Sequence, residues 1–166
     1  MFAIRMIQLI EAHAGKLSEE LMHRLETSDS CRELLRRVPA QELKMRTHEI
    51  YRNLSDWLLE KTQAEIEERY VGIGMRRANQ GVPLSELLLA LTTTKNCLWE
   101  YLEQDSLLED PVELIGDLNL LRSVGRFFDR VAYAAAIGYE GAHRKKAQES
   151  LAYPSPDVKS EDRKPA

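Results

Sequence analysis

Residues 81–102, GVPLSELLLALTTTKNCLWEYL, decide the fold of this chain. Gly81 suits the left-handed position just after a helix, and Pro83 suits the first turn of the next helix. After Pro83, apolar residues recur every three or four positions, at Leu84, Leu87, Leu88, Leu91, Leu98, Trp99 and Leu102. This spacing places them on one face of a helix, so the stretch predicts a helix that is buried along that face.

The same spacing continues on both sides of this stretch, and sustained alternation of apolar and polar residues is absent. We therefore predict an all-α bundle of about six helices with a long C-terminal helix. The predicted helices cover about 3–27 with a bend at Gly15, a short segment capped by Ser30 and ending before Pro39, 40–61, 64–80, 82–102 and 111–150. Residues 1–151 form the predicted domain, and 152–166, rich in proline and charge, form a predicted disordered tail.

The last predicted helix carries an unusual number of small residues. If it is continuous from 111 to about 150 it measures roughly 60 Å, which exceeds the ~30 Å width of a small domain. Its small residues include Ala132, Ala135, Gly138 and Ala142, and they allow another helix to approach closely. Two interpretations stay open at this point: tight packing inside one chain, or the interface of a homodimer.

Composition excludes several classes of function. The chain has 166 residues, 43% hydrophobic and 30% charged, with a formal net charge of −4. A mildly acidic chain is a poor nucleic-acid binder, since phosphate contacts need clustered Lys and Arg. No apolar run approaches the ~20 residues of a membrane-spanning helix, and no signal peptide is visible. Cys31 and Cys97 have no metal-binding spacing, so we expect reduced thiols, a cytoplasmic location, no metal and no cofactor.

Catalytic motifs are missing, and we predict a protein that is not an enzyme. Three polar residues nevertheless lie on or beside apolar stripes. Lys95 interrupts the stripe of the 82–102 helix, and a ligand pocket around it would be lined by Trp99, Phe128 and Tyr139. Asp129 beside the core, and Arg76 with Arg77 on the 64–80 helix, are predicted structural ion pairs. An enzyme that uses Asp129 or Lys95 is an open alternative.

Several stretches of the chain resemble a known family. They are Ile66–Tyr70, Ile73–Gly74, Arg76–Ala78, Gln80–Leu87, Lys95, Leu98–Trp99, Phe127–Arg130, Tyr133 and Gly138–Glu140. In this order they resemble the N-terminal domain family of the RsbRD stressosome co-antagonists, over roughly residues 4–150.

The resemblance implies a globin-like fold without haem, usually dimeric, which serves bacterial stress or two-component-type signalling as a sensory or docking module. Only a short tail follows the domain in this sequence, so we expect a stand-alone module whose signal passes to a separate protein. A haem- or small-molecule-binding sensor is the alternative. Haem needs an axial ligand, usually histidine, and the 64–80 helix offers only Tyr70, with His48 on the opposite side.

Overall fold

The computed structural model describes residues 2–104 and 111–152, and it describes side-chain surroundings for residues 4–104 and 118–152. Within these ranges every regular element is helical, so the all-α prediction is confirmed. The helices are α1 (Phe2–Ala12), α2 (Ala14–Thr27), α3 (Arg32–Arg37), α4 (Ala40–Arg52), α5 (Gln63–Asn79), α6 (Leu84–Gln104) and α7 (Pro111–Ala152). The predicted tail from residue 153 onward lies outside the described residues.

The first predicted helix is divided at His13, two residues before the predicted bend at Gly15. His13 has φ −103° and ψ 14°, which leaves the helical region. Its ring Nδ1 lies 2.9 Å from the Leu9 carbonyl oxygen and 2.9 Å from the Tyr101 hydroxyl on α6. Gly15 lies inside α2, and a Cβ at this position would have nothing within 4 Å. The break therefore coincides with a contact to α6, and Gly15 itself is helical.

In the connection between α2 and α3, the capping residue is not the predicted Ser30. Residues Asp29–Cys31 form a single 3₁₀ turn, and the side chain of Ser28 accepts a hydrogen bond from the Ser30 backbone N–H. The predicted cap residue Ser30 therefore donates to the cap, which lies two positions earlier. The short helix α3 ends at Arg37, before Pro39, as predicted.

The predicted 40–61 helix is α-helical only in its first part. After α4 ends at Arg52, residues Asp56–Glu60 form a π-helical turn, in which the chain bends before α5. Thr62 then starts α5 with a capping box, because its hydroxyl accepts from the Glu65 N–H and the Glu65 carboxylate accepts from the Thr62 N–H. This reciprocal pair satisfies two backbone donors that a helix start leaves open.

Helix α7 packs between α5 and α6 and is continuous over 42 residues, so none of its glycines breaks it. Trp57, before α5, contacts Phe127 of α7, and Val82, after α5, contacts Tyr139 further along α7, so α5 and α7 run parallel. Gly81, at φ +75°, reverses the chain after α5. Helix α6 therefore runs back antiparallel to both.

Candidate functional site

The predicted ligand pocket is not assembled as one site. The Lys95 Nζ lies 3.8 Å from the Asp129 carboxylate at the surface, where the Asp129 side chain is exposed. Phe128 is buried in the core, and its ring packs edge-on against that of Phe127 at 5.3 Å. Trp99 packs, partly buried, against the same core.

Tyr139 lies about 16 Å further along α7 than Phe128, by the rise of an α-helix. Its hydroxyl donates to the Val82 carbonyl oxygen at 2.7 Å, and its ring lies 4.8 Å from that of His143. The structure therefore places Tyr139 at the α5–α6 turn and Lys95 in the middle of α6. In the described residues, Tyr139 and Lys95 therefore do not line one pocket.

Two of the four small residues predicted for a dimer interface make contacts within the chain. A Cβ at Gly74 would lie 1.9 Å from the carbonyl oxygen of Ala135, and a Cβ at Gly138 would lie 2.0 Å from that of Val71. Helices α5 and α7 thus touch backbone to backbone, a contact that only glycine permits at these positions. Ala135 and Gly138 are buried by it, so tight packing within the chain accounts for both.

The other two of these small residues have different surroundings. Ala142 is also buried, and it is the last buried residue of α7. Ala132 is half-buried and lies on α7 one turn before Ala135. A dimer interface on α7 therefore has to use its outer face, with Ala132 at the edge of that face.

Arg77 and Arg76 share one partner, Glu42 of α4. Arg77 is buried and donates to Glu42 and to the side-chain oxygen of Gln80, each at 2.7 Å, while the more exposed Arg76 lies 3.6 Å from Glu42. Burial raises the pKa of the Glu42 carboxyl, but the Arg77 hydrogen bond and the charges of both arginines outweigh this and hold the pKa below its ordinary value. The cluster ties α4 to α5.

A cavity of about 60 Å³ lies among α2, α3, α4, α5 and α6, and we call it the core cavity. Most of its lining is aliphatic, from Leu25, Leu34, Leu43, Ile50, Leu87 and Leu91. Tyr70 also lines it, together with Arg46 and Ile73. The sequence identified Tyr70 as an inward-facing residue but gave no sign of a cavity, because five separate helices contribute to its wall.

A groove of about 400 Å³ lies on the surface between α4 and α5, and we call it the outer groove. Arg46 and Ile73 line both this groove and the core cavity, so their side chains form the wall between the two spaces. The Glu49 carboxylate accepts hydrogen bonds from Arg46 and Arg69. We call these three residues the ionic lid. Gly72 contributes no side chain to the groove, and nothing lies within 4 Å of where its Cβ would be.

The outer face of α7 is the second surface feature of note. Tyr133 and Ile137, one turn apart, are 64% and 40% exposed. Beyond Ala142 every described residue of α7 is exposed, through Ala152. At 1.5 Å per residue, this end projects about 15 Å past the last buried position.

Neither a metal site nor a haem pocket has the required parts in the described residues. No group of three or more His, Cys, Asp or Glu side chains within these ranges is placed to hold a metal ion. Tyr70 packs against the rings of Trp57 and Phe127 at 6.0 and 6.2 Å, and His48 is exposed. A cavity of about 60 Å³ is also far below the ~300 Å³ at which small-molecule pockets begin.

The comparisons with known proteins fit this all-helical arrangement. Residues 15–152, more than four fifths of the chain, match the family model described as the RsbT co-antagonist protein rsbRD N-terminal domain. The chain belongs to this family. Neither the curated proteins nor the solved structures that were compared contain a match.

Membership confirms the resemblance seen in the sequence. The rsbRD N-terminal domain family consists of signalling and regulatory domains of the stressosome type and is not known for catalysis. The matched range starts within α2 and ends where α7 ends, so it contains the glycine contact, the core cavity and the outer face of α7. In the described ranges, no helix is both long and apolar enough to cross a membrane.

Proposed function

We propose that this chain is a non-enzymatic regulatory module of bacterial stress signalling, located in the cytoplasm, which acts by docking to other proteins through α7. The observation that carries the proposal is the exposed outer face of α7 together with its projecting end. Tyr133 and Ile137 expose apolar surface where a helix of a monomer is ordinarily polar. The family supplies the signalling context.

The first partner we propose is a second copy of the chain. The described outer stripe of α7 runs from Leu118 to Leu151, roughly 50 Å at 1.5 Å per residue. With a helix width of ~10 Å it offers roughly 500 Å² per copy, or about 1,000 Å² in total. That area is the lower bound for a specific interface. We therefore expect a weak dimer whose contact is completed in the signalling assembly by a further protein.

Sedimentation velocity over a dilution series tests this proposal. Ile137→Arg places a charge in the middle of the stripe, and we expect it to shift the monomer–dimer midpoint at least tenfold upward. Met45→Arg is the matched control, because Met45 is a comparably exposed apolar residue on α4. Equal midpoints for the wild type, Ile137→Arg and Met45→Arg would contradict docking through this face. Gly138→Arg is unsuitable for the purpose, since it would separate α5 from α7.

A further inference from the structure

The ionic lid carries more positive than negative charge. Arg46 and Arg69 both form salt bridges with Glu49, and this single carboxylate compensates only one of the two guanidinium groups. Both arginines line the outer groove, so the uncompensated charge lies at its surface. Arg69 also lies over the ring of Trp57, with its guanidinium carbon 5.4 Å from the ring centroid. A ring attracts a cation without cancelling its charge, so the positive charge remains.

A second uncompensated charge lies further along the groove, at Arg76. Arg77 is buried and donates to Glu42 at 2.7 Å, and a buried guanidinium needs such a counter-charge. Arg76 lies 3.6 Å from the same carboxylate, which is too far for a hydrogen bond, and its side chain is 54% exposed. The Arg76 guanidinium therefore lines the groove with N–H donors that Glu42 does not use.

Gly72 lies between these two charges on α5. Arg69 precedes it by one turn and Arg76 follows it by one turn, so all three residues share one side of the helix. A Cβ at Gly72 would meet nothing within 4 Å, which leaves open space above the backbone. A ligand can therefore approach the α5 backbone between two guanidinium groups.

The acids in the lining leave this part of the groove positive. The Glu65 carboxylate is engaged at the start of α5, where it accepts hydrogen bonds from the N–H and hydroxyl of Thr62 and lies 3.7 Å from the Lys61 Nζ. Glu68 is exposed, lies one turn before Gly72 and offsets part of the arginine charge. The balance stays positive in a chain whose formal net charge is −4.

We propose that the outer groove binds a small ligand with an oxyanion group, a carboxylate or a phosphate, which lies over Gly72 between Arg69 and Arg76. Arg46 approaches the same group from α4. The planar fork of N–H donors on a guanidinium matches the oxygens of carboxylate and phosphate groups. A neutral ligand would gain little from three guanidinium groups, and a cation would be repelled. The groove volume of about 400 Å³ is within the range of ~300–1,000 Å³ for small-molecule sites.

This site goes beyond the docking function proposed above, because it lies on α4 and α5 and shares no residue with the outer face of α7. The two proposals therefore stand or fall separately. Absence of anion binding would leave docking through α7 intact, and monomeric behaviour in sedimentation would leave the anion site intact.

The test is a titration of the full ¹⁵N-labelled chain with inorganic phosphate and, separately, with succinate, followed by amide NMR at low salt. We expect saturable shifts centred on Gly72 and its neighbours in α5. The Trp57 indole N–H resonance should move with them, since Arg69 lies over its ring. Sodium chloride at equal ionic strength should give no saturable shift. The anion with the lower midpoint assigns the group as phosphate or carboxylate.

Charge variants distinguish a site from general attraction. Arg76→Gln should weaken binding about fivefold, as expected for one exposed charge pair, and Glu68→Gln should strengthen it by a smaller factor. Arg32→Gln is the matched control, because it removes the same charge from an exposed side chain of α3 outside the groove. Its affinity should equal that of the wild type.

A filling variant tests the position of the site. Gly72→Leu places a side chain in the open space over α5, and it should abolish the saturable shifts while far-UV circular dichroism stays that of the wild type. The proposal is overturned if neither anion gives saturable shifts in the wild type, if Arg32→Gln weakens binding as much as Arg76→Gln, or if folded Gly72→Leu binds as well as the wild type.

Discussion

The backbone contact between α5 and α7 makes Gly74→Ala the most informative single substitution. The new Cβ would lie 1.9 Å from the Ala135 carbonyl oxygen, whereas contacts below 3.0 Å essentially never occur. Both atoms belong to helix backbones, so no side-chain rotation can relieve the overlap and the helices must separate by more than 1 Å. A gap of 0.5–1 Å along the contact already forfeits about a quarter to a half of its dispersion energy.

Two contributions set the expected change in the free energy of unfolding of Gly74→Ala. Overpacking of a filled core costs typically ~1–3 kcal/mol and sometimes more, and this overlap with rigid backbone belongs at the upper end. Alanine regains about 1 kcal/mol of helix propensity over glycine. We expect Gly74→Ala to lower the free energy of unfolding by about 2 kcal/mol, which corresponds to a fall in Tm of roughly 4–8 °C for a domain of this size.

Gly72 provides the matched control on the same helix. A Cβ at Gly72 meets nothing within 4 Å, so Gly72→Ala should show only the propensity gain and stabilise by about 0.5–1 kcal/mol. Urea unfolding followed by far-UV circular dichroism measures both. A Gly74→Ala protein as stable as Gly72→Ala would refute the close contact.

The other end of the contact gives an independent repeat of the experiment. Gly138 on α7 meets the Val71 carbonyl, while Gly141 one turn on meets nothing within 4 Å. Gly138→Ala should therefore destabilise and Gly141→Ala should not. Because Gly74 and Gly138 line one contact, the double variant should lose less than the sum of the two single losses.

Three further expectations follow from the same structure. Glu42→Gln should lower the free energy of unfolding by about 1–3 kcal/mol at pH 7, because it weakens the hydrogen bond to Arg77. Since the pKa of Glu42 in the folded state is depressed, this difference from wild type should be constant at pH 6–8 and should shrink as the pH falls below the ordinary value of 4.5. Urea unfolding at each pH measures the difference. Tyr139→Phe should lower stability by ~0.5–1.5 kcal/mol through the lost bond to Val82, seen as a smaller urea midpoint at unchanged slope. Haem added to the purified protein should give no Soret band of ligated haem in absorption spectra, and a ligated band that disappears in Tyr70→Phe would contradict this.

Much of the fold could be predicted because it depends on patterns within single segments. The leucine spacing after Pro83, the turn at Gly81 and the stop before Pro39 each act locally, and the helices begin and end close to the predicted residues. The break lies at His13 and not at the predicted Gly15, and the His13 ring contacts a hydroxyl on α6, 88 residues away. A pattern within one segment carries no trace of such a contact.

The candidate sites could be predicted only in part, for a related reason. Periodicity shows which residues share a face of one helix, but not which position of another helix lies opposite them. The sequence therefore groups Tyr139 with Lys95, although Tyr139 lies at the α5–α6 turn and Lys95 in the middle of α6. Likewise, a glycine on a helix face indicates close approach without naming the partner. For Gly138 the partner is Val71 of the same chain.

Helix α5 connects the two features that the sequence could not reveal. Tyr70 and Ile73 of this helix line the core cavity, and Val71 and Gly74, the residues between and beside them, touch the backbone of α7. In an ordinary helix contact, side chains of several ångströms lie between the two backbones and can absorb a small shift by changing rotamers. At Gly74 and Gly138 no such layer exists. A displacement of α5 must therefore move α7, whose outer face is the surface proposed for docking.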